Sequence, residues 1–112
     1  MLPELARSAQ EDIVRLLMVN DVFEDVALLD EQGRERVHLA RLGLLEAPHN
    51  RDVESDEFVI PQTTGKVYYS PVWFAETTGE PLITIAMPLI GIRTGLPAGV
   101  LVADVRIKKI WD

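Results

Sequence analysis

The sequence of 112 residues has no cysteine, which excludes disulfide bonds, thiolate metal ligands and a cysteine nucleophile. Basic residues are few: 11 lysines and arginines stand against 18 acidic residues, for a net charge of -7. Nucleic-acid binding needs a basic surface to contact phosphates, so this balance argues against a nucleic-acid partner. Histidine is also scarce. His38 and His49 are the only two imidazoles, and we expect both at the surface because their spacing is not that of a metal site.

The sequence also lacks a long apolar run. The longest stretch, Pro81 to Ile92, is shorter than the roughly 20 residues that a spanning helix needs, and Thr84 and Pro88 interrupt it. The N-terminus lacks the basic start and apolar middle of a signal peptide. We therefore expect a soluble segment, which can still come from a membrane-anchored parent whose targeting and anchoring parts lie elsewhere.

What is present fits one folded domain over residues 1–112. Apolar residues make up 47% and charged residues 26%, an ordinary globular balance. A chain of this size buries enough surface for one hydrophobic core. The sequence has no internal repeat and no low-complexity tract.

The first segment predicts an amphipathic helix over about residues 2–20. Apolar side chains recur at three- and four-residue steps, and Pro3 suits the first helical turn. Asn20 and Asp21 then favour a stop. The apolar face consists of Leu2, Leu5, Ala6, Ala9, Ile13, Leu16 and Leu17.

The rest of the chain, about residues 22–107, predicts a sheet domain. A turn at Asp30–Gly33 joins the first two strands in a hairpin. Near-continuous apolarity in the last two strands indicates that both faces of the sheet are covered. The predicted strands are Val22–Leu29, Arg34–Arg41, Lys66–Phe74, Leu82–Ile90 and Ala98–Ile107, with core residues Leu28, Val37, Ile83, Ile85, Leu101 and Val105.

Between the second and third strands lies an irregular connector, Leu42–Thr64. Ser55 is a candidate N-cap for a short helix within it. A connector this long in a small domain typically serves as a lid or a binding segment. We expect the N-terminal helix to cover one face of the sheet and the connector to cover the other.

The order of helix, hairpin, connector and three-strand meander is that of a PAS-like domain. Several stretches at the right spacing narrow the resemblance to Cache domains, the extracytoplasmic sensor modules of bacterial receptors. They are Tyr69-Ser70-Pro71-Val72, Thr77-Thr78-Gly79-Glu80-Pro81, Thr84-Ile85-Ala86-Met87-Pro88, Gly99-Val100-Leu101-Val102-Ala103-Asp104 and Ile107-Lys108-Lys109-Ile110-Trp111.

This resemblance implies an α+β fold in which a long N-terminal helix packs on a five-stranded antiparallel sheet. It implies a ligand pocket between the other sheet face and the connector, and homodimers that pair through the N-terminal helix. It also implies a location outside the cytoplasmic membrane, at the membrane-distal end of a double-Cache sensor histidine kinase. A chemoreceptor or a cyclase would have a similar input domain, so these parents remain alternatives.

Three residues are candidate ligand contacts: Tyr69, Trp73 and Asp104. Strand alternation predicts that Tyr69 and Trp73 share one face of the third strand, with Tyr68 and Ser70 on the other. Asp104 lies within an apolar strand, where a carboxylate is costly unless it is paired. Each residue also has a structural interpretation, as a packing aromatic or as a hydrogen-bonded or edge-facing carboxylate. In amino-acid-binding Cache domains, an Asp at this point of the last strand accepts hydrogen bonds from the amine of the ligand.

The Arg-x-Trp-Tyr group of those amino-acid binders, which holds the ligand carboxylate, is absent here. The equivalent region reads Phe58-Val59-Ile60-Pro61-Gln62-Thr63-Thr64. Arg41 and Arg51 lie nearby in sequence, but we expect both in solvent. Two hypotheses therefore stay open: a ligand-sensing domain, or a structural and dimerisation module without a ligand. The sequence shows no catalytic constellation, metal motif or cofactor motif, so we expect a domain that is not an enzyme and has no cofactor.

Overall fold

A computed structural model describes residues 7–40, 55–76 and 78–111, and all structural statements below refer to these residues. They form three helices and six strands. In chain order these are α1 (Arg7–Met18), β1 (Phe23–Leu29), β2 (Glu35–Ala40), α2 (Asp56–Thr64), β3 (Tyr68–Tyr69), β4 (Trp73–Phe74), β5 (Pro81–Ile90), β6 (Pro97–Arg106) and α3 (Ile107–Trp111).

The strands form one antiparallel sheet in the order β2-β1-β6-β5-β3, and β4 also pairs with β5. The fold is α+β, as predicted, but the sheet has six strands rather than five. The predicted strand Lys66–Phe74 is divided because Pro71 has no N–H to donate to the sheet. At the break, the Ser70 hydroxyl accepts from the Thr84 N–H at 2.7 Å and donates to the Pro71 carbonyl.

Helix α1 ends at Met18, two residues before the predicted end, and its predicted start at residue 2 lies outside the described residues. Asn20 explains the early end. Its N–H bonds to the Leu17 carbonyl, and its side chain accepts the N–H of Val22, which turns the chain into β1. Within the described residues, α1 is a short helix of 12 residues rather than the long N-terminal helix that the resemblance implies.

The β1–β2 hairpin forms where the sequence predicted it. Asp30 is only 3% exposed, and one of its carboxylate oxygens accepts the N–H groups of Gln32 and Arg34, both at 2.9 Å. Gly33 has φ +81°, a left-handed conformation that glycine adopts without strain. The turn is thus closed by contacts within five consecutive residues.

Each face of the sheet carries its own apolar cluster. On the α1 face, Val14 packs against buried residues from three strands, and α2 covers a second cluster on the opposite face around Phe58. Both faces are therefore covered, as the apolarity of the last two strands predicted. The α1-face cluster consists of Val14, Val26, Leu28, Val37, Ala103 and Val105, and the α2-face cluster of Leu29, Phe58, Ala86, Val100 and Val102.

The predicted core residues all belong to the α1 face. Leu28, Val37 and Val105 are buried. The other three, Ile83, Ile85 and Leu101, are half-buried and pack against the same cluster.

After β6 the chain enters the short helix α3, where the sequence predicted a strand to Ile107. Arg106, the last residue of β6, bonds to the Glu80 carboxylate at 2.9 Å and lies 3.8 Å from that of Glu24. Lys109 of α3 lies 3.5 Å from Asp21, just before β1. Among residues 7–40, 55–76 and 78–111, every helix is too short or too polar to cross a membrane.

Candidate functional site

Asp104 lies in β6, which has β1 on one side and β5 on the other, so it is at neither edge of the sheet. Its side chain is half-buried, and its Oδ1 accepts a hydrogen bond of 2.8 Å from the Thr84 hydroxyl on β5. The two residues are cross-strand partners, which explains the contact. The edge-facing interpretation of Asp104 is therefore wrong, and the Thr84 side chain is one hydrogen-bond partner of its carboxylate.

Thr84 also links Asp104 to Trp73. The indole N–H of Trp73 donates to the Thr84 hydroxyl at 3.0 Å. A hydroxyl has one proton to donate and lone pairs to accept, so the chain runs in one direction, from Trp73 through Thr84 to the Asp104 carboxylate. Two of the three predicted contact residues, Trp73 and Asp104, are thus joined through a residue that the sequence did not single out.

On the other side of Asp104, its cross-strand partner in β1 is Asp25. The Asp25 carboxylate lies 2.6 Å from Nε2 of His38 on β2, and Glu35 lies 3.4 Å from Nδ1 of the same ring. The expectation that His38 is a surface residue is therefore wrong, since its side chain is only 11% exposed. Alternation along β2 predicted that His38 and Val37 lie on opposite faces of the sheet, but it could not identify the partner of His38 on β1.

These side chains form a continuous row across the sheet, which we call the polar row. It contains one residue from each of five strands. Cross-strand pairing and the hydrogen bonds above place all of them on the α2 face, opposite α1. In strand order the members are His38, Asp25, Asp104, Thr84 and Trp73.

The two tyrosines of β3 lie on opposite faces. Tyr68 pairs with Ala86 and packs against the α2-face cluster. Tyr69 pairs with Ile85, on the α1 face, and is 64% exposed. The structure therefore separates Tyr69 from Trp73, because the break at Pro71 interrupts the alternation on which the prediction relied. Tyr68 is the tyrosine that shares a face with Trp73 and Asp104.

Beside the polar row, α2 covers the rest of this face. It packs over β5, β6 and β3, with Phe58 and Pro61 buried beneath it. The helix begins after Ser55, as predicted, although the Ser55 side chain makes no capping hydrogen bond, and it ends at Gly65. Residues 41–54, which include the last residue of the predicted second strand and the first part of the predicted connector, lie outside the described residues, so the predictions for Arg41, His49 and Arg51 stay predictions.

Among the described residues, the charges around the polar row are mainly negative. Asp25, Glu35 and Asp104 contribute three carboxylates, next to the imidazole of His38. At the end of β6, the hydrogen bond from Arg106 to Glu80 raises the pKa of that arginine, although burial opposes the change, so it stays a cation held by Glu80. Within the described part of the chain, the acidic and histidine side chains do not converge as three ligands on one metal position.

No family model and no curated protein matches the chain. Solved structures do match. The extracellular domain of mmHK1S-Z2, a protein assigned as a histidine kinase, has a TM-score of 0.70 at 23% identity, over 92% of this chain and 46% of its own. The ligand-binding domain of PctC, an amino acid chemoreceptor of Pseudomonas aeruginosa PAO1 solved with GABA, has a TM-score of 0.72 at 14% identity, over 98% of this chain and 47% of its own.

The sensory domain of the Campylobacter jejuni chemoreceptor Tlp3 matches with a TM-score of 0.68 at 16% identity, over 92% of this chain and 42% of its own. The chain thus spans less than half of each of these structures. Agreement at this level shows the fold, which is that of Cache-type extracellular sensor domains, as the resemblance predicted.

Proposed function

We propose that this chain is the ligand-sensing input domain of a bacterial membrane-bound signalling protein, and that the parent is a sensor histidine kinase. The domain itself is non-catalytic, lies outside the cytoplasmic membrane and passes its state to the segment that follows α3. The similarity to extracellular domains of receptors supports this proposal. A ligand would act by preferring one of two arrangements of the domain, since it can shift an equilibrium only through differential affinity.

The observation that carries the proposal is Asp104 in a central strand. A carboxylate at such a position costs stability unless its contacts compensate for lost water, and an apolar residue would pack there more favourably. The Trp73–Thr84 chain orients this carboxylate toward the α2 face. We therefore infer a small ligand that carries an amine, with Asp104 as its counter-ion and Trp73 and Tyr68 as its aromatic contacts. GABA, named with the PctC domain, is such an amine.

Binding is tested with a thermal-shift screen of amines, amino acids, carboxylates and sugars, followed by calorimetry on the hits. Asp104→Asn keeps the shape of the side chain and removes its charge. We expect it to weaken binding of a cationic hit by about tenfold or more, the effect of losing roughly 1.4 kcal/mol or more of a charge-assisted contact. Asp56→Asn, at an exposed position of α2, is the matched control and should bind as wild type. Equal stabilisation of wild type and Asp104→Asn would remove Asp104 from the site.

The two tyrosines give a second, internal comparison. The sequence predicted Tyr69 as a ligand contact, whereas its neighbour Tyr68 is the one on the α2 face. We expect Tyr68→Ala to weaken binding of the same hit and Tyr69→Ala to leave it unchanged. The reverse result would restore the prediction made from the sequence.

A structural and dimerisation module is the second candidate function. Its support is an exposed apolar stripe on α1 and the residue after it: Ile13, Leu16 and Val19 are 42%, 73% and 80% exposed. We propose a homodimer through this stripe, which is compatible with ligand sensing as well. Leu16→Glu should convert a dimer to a monomer in sedimentation without unfolding. A wild-type protein that stays monomeric at high concentration would reject the dimer. A screen without any hit would reject the ligand.

A further inference from the structure

One cluster on the α2 face is not used by the proposed ligand contacts. The ring of His38 lies between two carboxylates, with Nε2 at 2.6 Å from Asp25 and Nδ1 at 3.4 Å from Glu35. All three side chains are between 11% and 15% exposed, so water screens the cluster only partly. We call Asp25, His38 and Glu35 the histidine clasp.

The chemistry of imidazole makes this geometry sensitive to protons. A neutral ring has one N–H, so it can donate to only one of the two carboxylates, and its other nitrogen then presents a lone pair to an anionic oxygen. The doubly protonated ring donates on both sides and carries a charge opposite to both partners. The clasp therefore favours the protonated ring, and the folded domain should hold that proton at a pH where a free imidazole, at about 6.5, has lost it.

We propose that the histidine clasp stabilises the pairing of β2 with the sheet while His38 is protonated. This stabilisation weakens as the pH rises above neutrality. Within the described part of the chain, β2 is at the edge of the sheet and pairs with β1 alone, so the clasp joins this edge strand to its neighbour. Other charged groups next to the clasp are Asp104, opposite Asp25 on β6, and Arg36, two residues before His38 on β2. Asp104 favours a protonated His38, and Arg36, which is exposed, opposes it only weakly because water screens its charge.

The sign of the effect follows from where the proton binds. The folded state binds the His38 proton more tightly than the unfolded chain does. The clasp therefore stabilises the fold fully below about pH 6.5, and this stabilisation is lost as the pH rises through the pKa of His38 in the folded state. Loss of the proton also removes the positive charge from between Asp25 and Glu35. Since β2 leads directly into the connector, the domain would respond to external pH at the strand that precedes it.

The test is an NMR titration of the two imidazoles from about pH 5 to about pH 9, with His49→Gln used to assign the signals. We expect the His38 midpoint to lie above 6.5, and each pH unit of difference corresponds to a tenfold change in the unfolding equilibrium constant. Urea unfolding at about pH 6 and about pH 8.5 should show that change in wild type and in His49→Gln. It should be absent in His38→Gln.

If His38→Gln does not fold, Glu35→Gln provides a second test of the proposal. It removes one carboxylate and should move the His38 midpoint back toward 6.5, whereas Glu31→Gln, at an exposed position of the same hairpin, should leave it unchanged. A His38 midpoint at or below 6.5 would overturn the proposal. So would equal pH dependence in wild type and His38→Gln, or an unmoved midpoint in Glu35→Gln. None of these measurements needs a ligand, so they stand apart from the test of the proposed function.

Discussion

The two faces of the sheet use the same strands in different ways. The α1 face is an apolar layer in which Val14 meets side chains from β1, β2 and β6. The α2 face has an apolar cluster at one end, around Phe58, and the polar row beside it. The same β6 strand thus contributes Ala103 and Val105 to one face and Asp104 to the other.

This difference separates two tasks. Apolar contacts are non-directional, so the α1 face gains stability from almost any well-packed set of side chains. The polar row depends on directed hydrogen bonds between strands, and each of these contributes less net free energy while fixing a geometry. We therefore expect mutations on the α1 face to reduce stability most, and mutations in the polar row to reduce it less but to change what the face can bind.

The largest effect should come from the α1 face. Leu28 is 3% exposed and lies in the middle of β1. Leu28→Ala removes apolar atoms and leaves a cavity, so the free energy of unfolding should fall by about 2–5 kcal/mol. Equilibrium unfolding in urea measures this loss, and Ile92→Ala, at an 87% exposed position, should change stability by less than about 0.5 kcal/mol. Equal losses for the two variants would contradict the assignment of this face as the main core.

A smaller loss is expected where the polar row crosses β5. Thr84→Val keeps the size of the side chain but removes the hydroxyl that accepts from Trp73 and donates to Asp104. Two groups then lose a partner, which should cost about 1–3 kcal/mol in urea unfolding. Thr84→Ser retains the hydroxyl and should preserve both contacts, so it is the matched control. A neutral Thr84→Val would show that the chain from Trp73 to Asp104 contributes no stability.

The two faces also differ in how well the sequence predicts them. The α1 face follows from apolar periodicity, which is a local property of helix and strand. Leu28, Val37 and Val105 were predicted and are buried. The same local signals predicted the hairpin at Asp30 and the helix after Ser55.

The polar row was predicted only in part because it depends on register between strands far apart in the sequence. Asp104 was singled out as a charge in an apolar run, but Thr84 and Asp25 become its neighbours only through pairing of β6 with β5 and β1. A one-residue change of register would move either residue to the other face. The position of Tyr69 was predicted from alternation, which the break at Pro71 interrupts. That proline was the one local signal for the break.

Asp30 offers a carboxylate with hydrogen bonds inside its own turn, for comparison with Asp104. Burial raises the pKa of Asp30, but the N–H groups of Arg34 and Gln32 and the charge of Arg34 outweigh it, so the pKa lies below 3.8. A lowered pKa in the folded state stabilises the protein above the unfolded value, and this stabilisation is lost as the pH falls through the folded value. The stability difference between wild type and Asp30→Asn should therefore be largest near neutral pH, at about 1–2 kcal/mol, and should shrink below about pH 4. A difference that is independent of pH would mean that the charge of Asp30 does not matter.

The smallest effect is expected at the end of the α2 face, where Arg106 binds Glu80. This pair is directional like the polar row, but it is close to water: the Arg106 side chain is 22% exposed and that of Glu80 18%. Arg106→Gln should therefore lower stability by no more than about 1 kcal/mol, and about 1 M salt should remove most of that difference by screening. Lys109→Gln, which removes the more exposed contact with Asp21, is the control and should cost less still. A salt-independent loss above about 2 kcal/mol would place Arg106 with the directed contacts of the polar row, because only a desolvated charge pair resists screening.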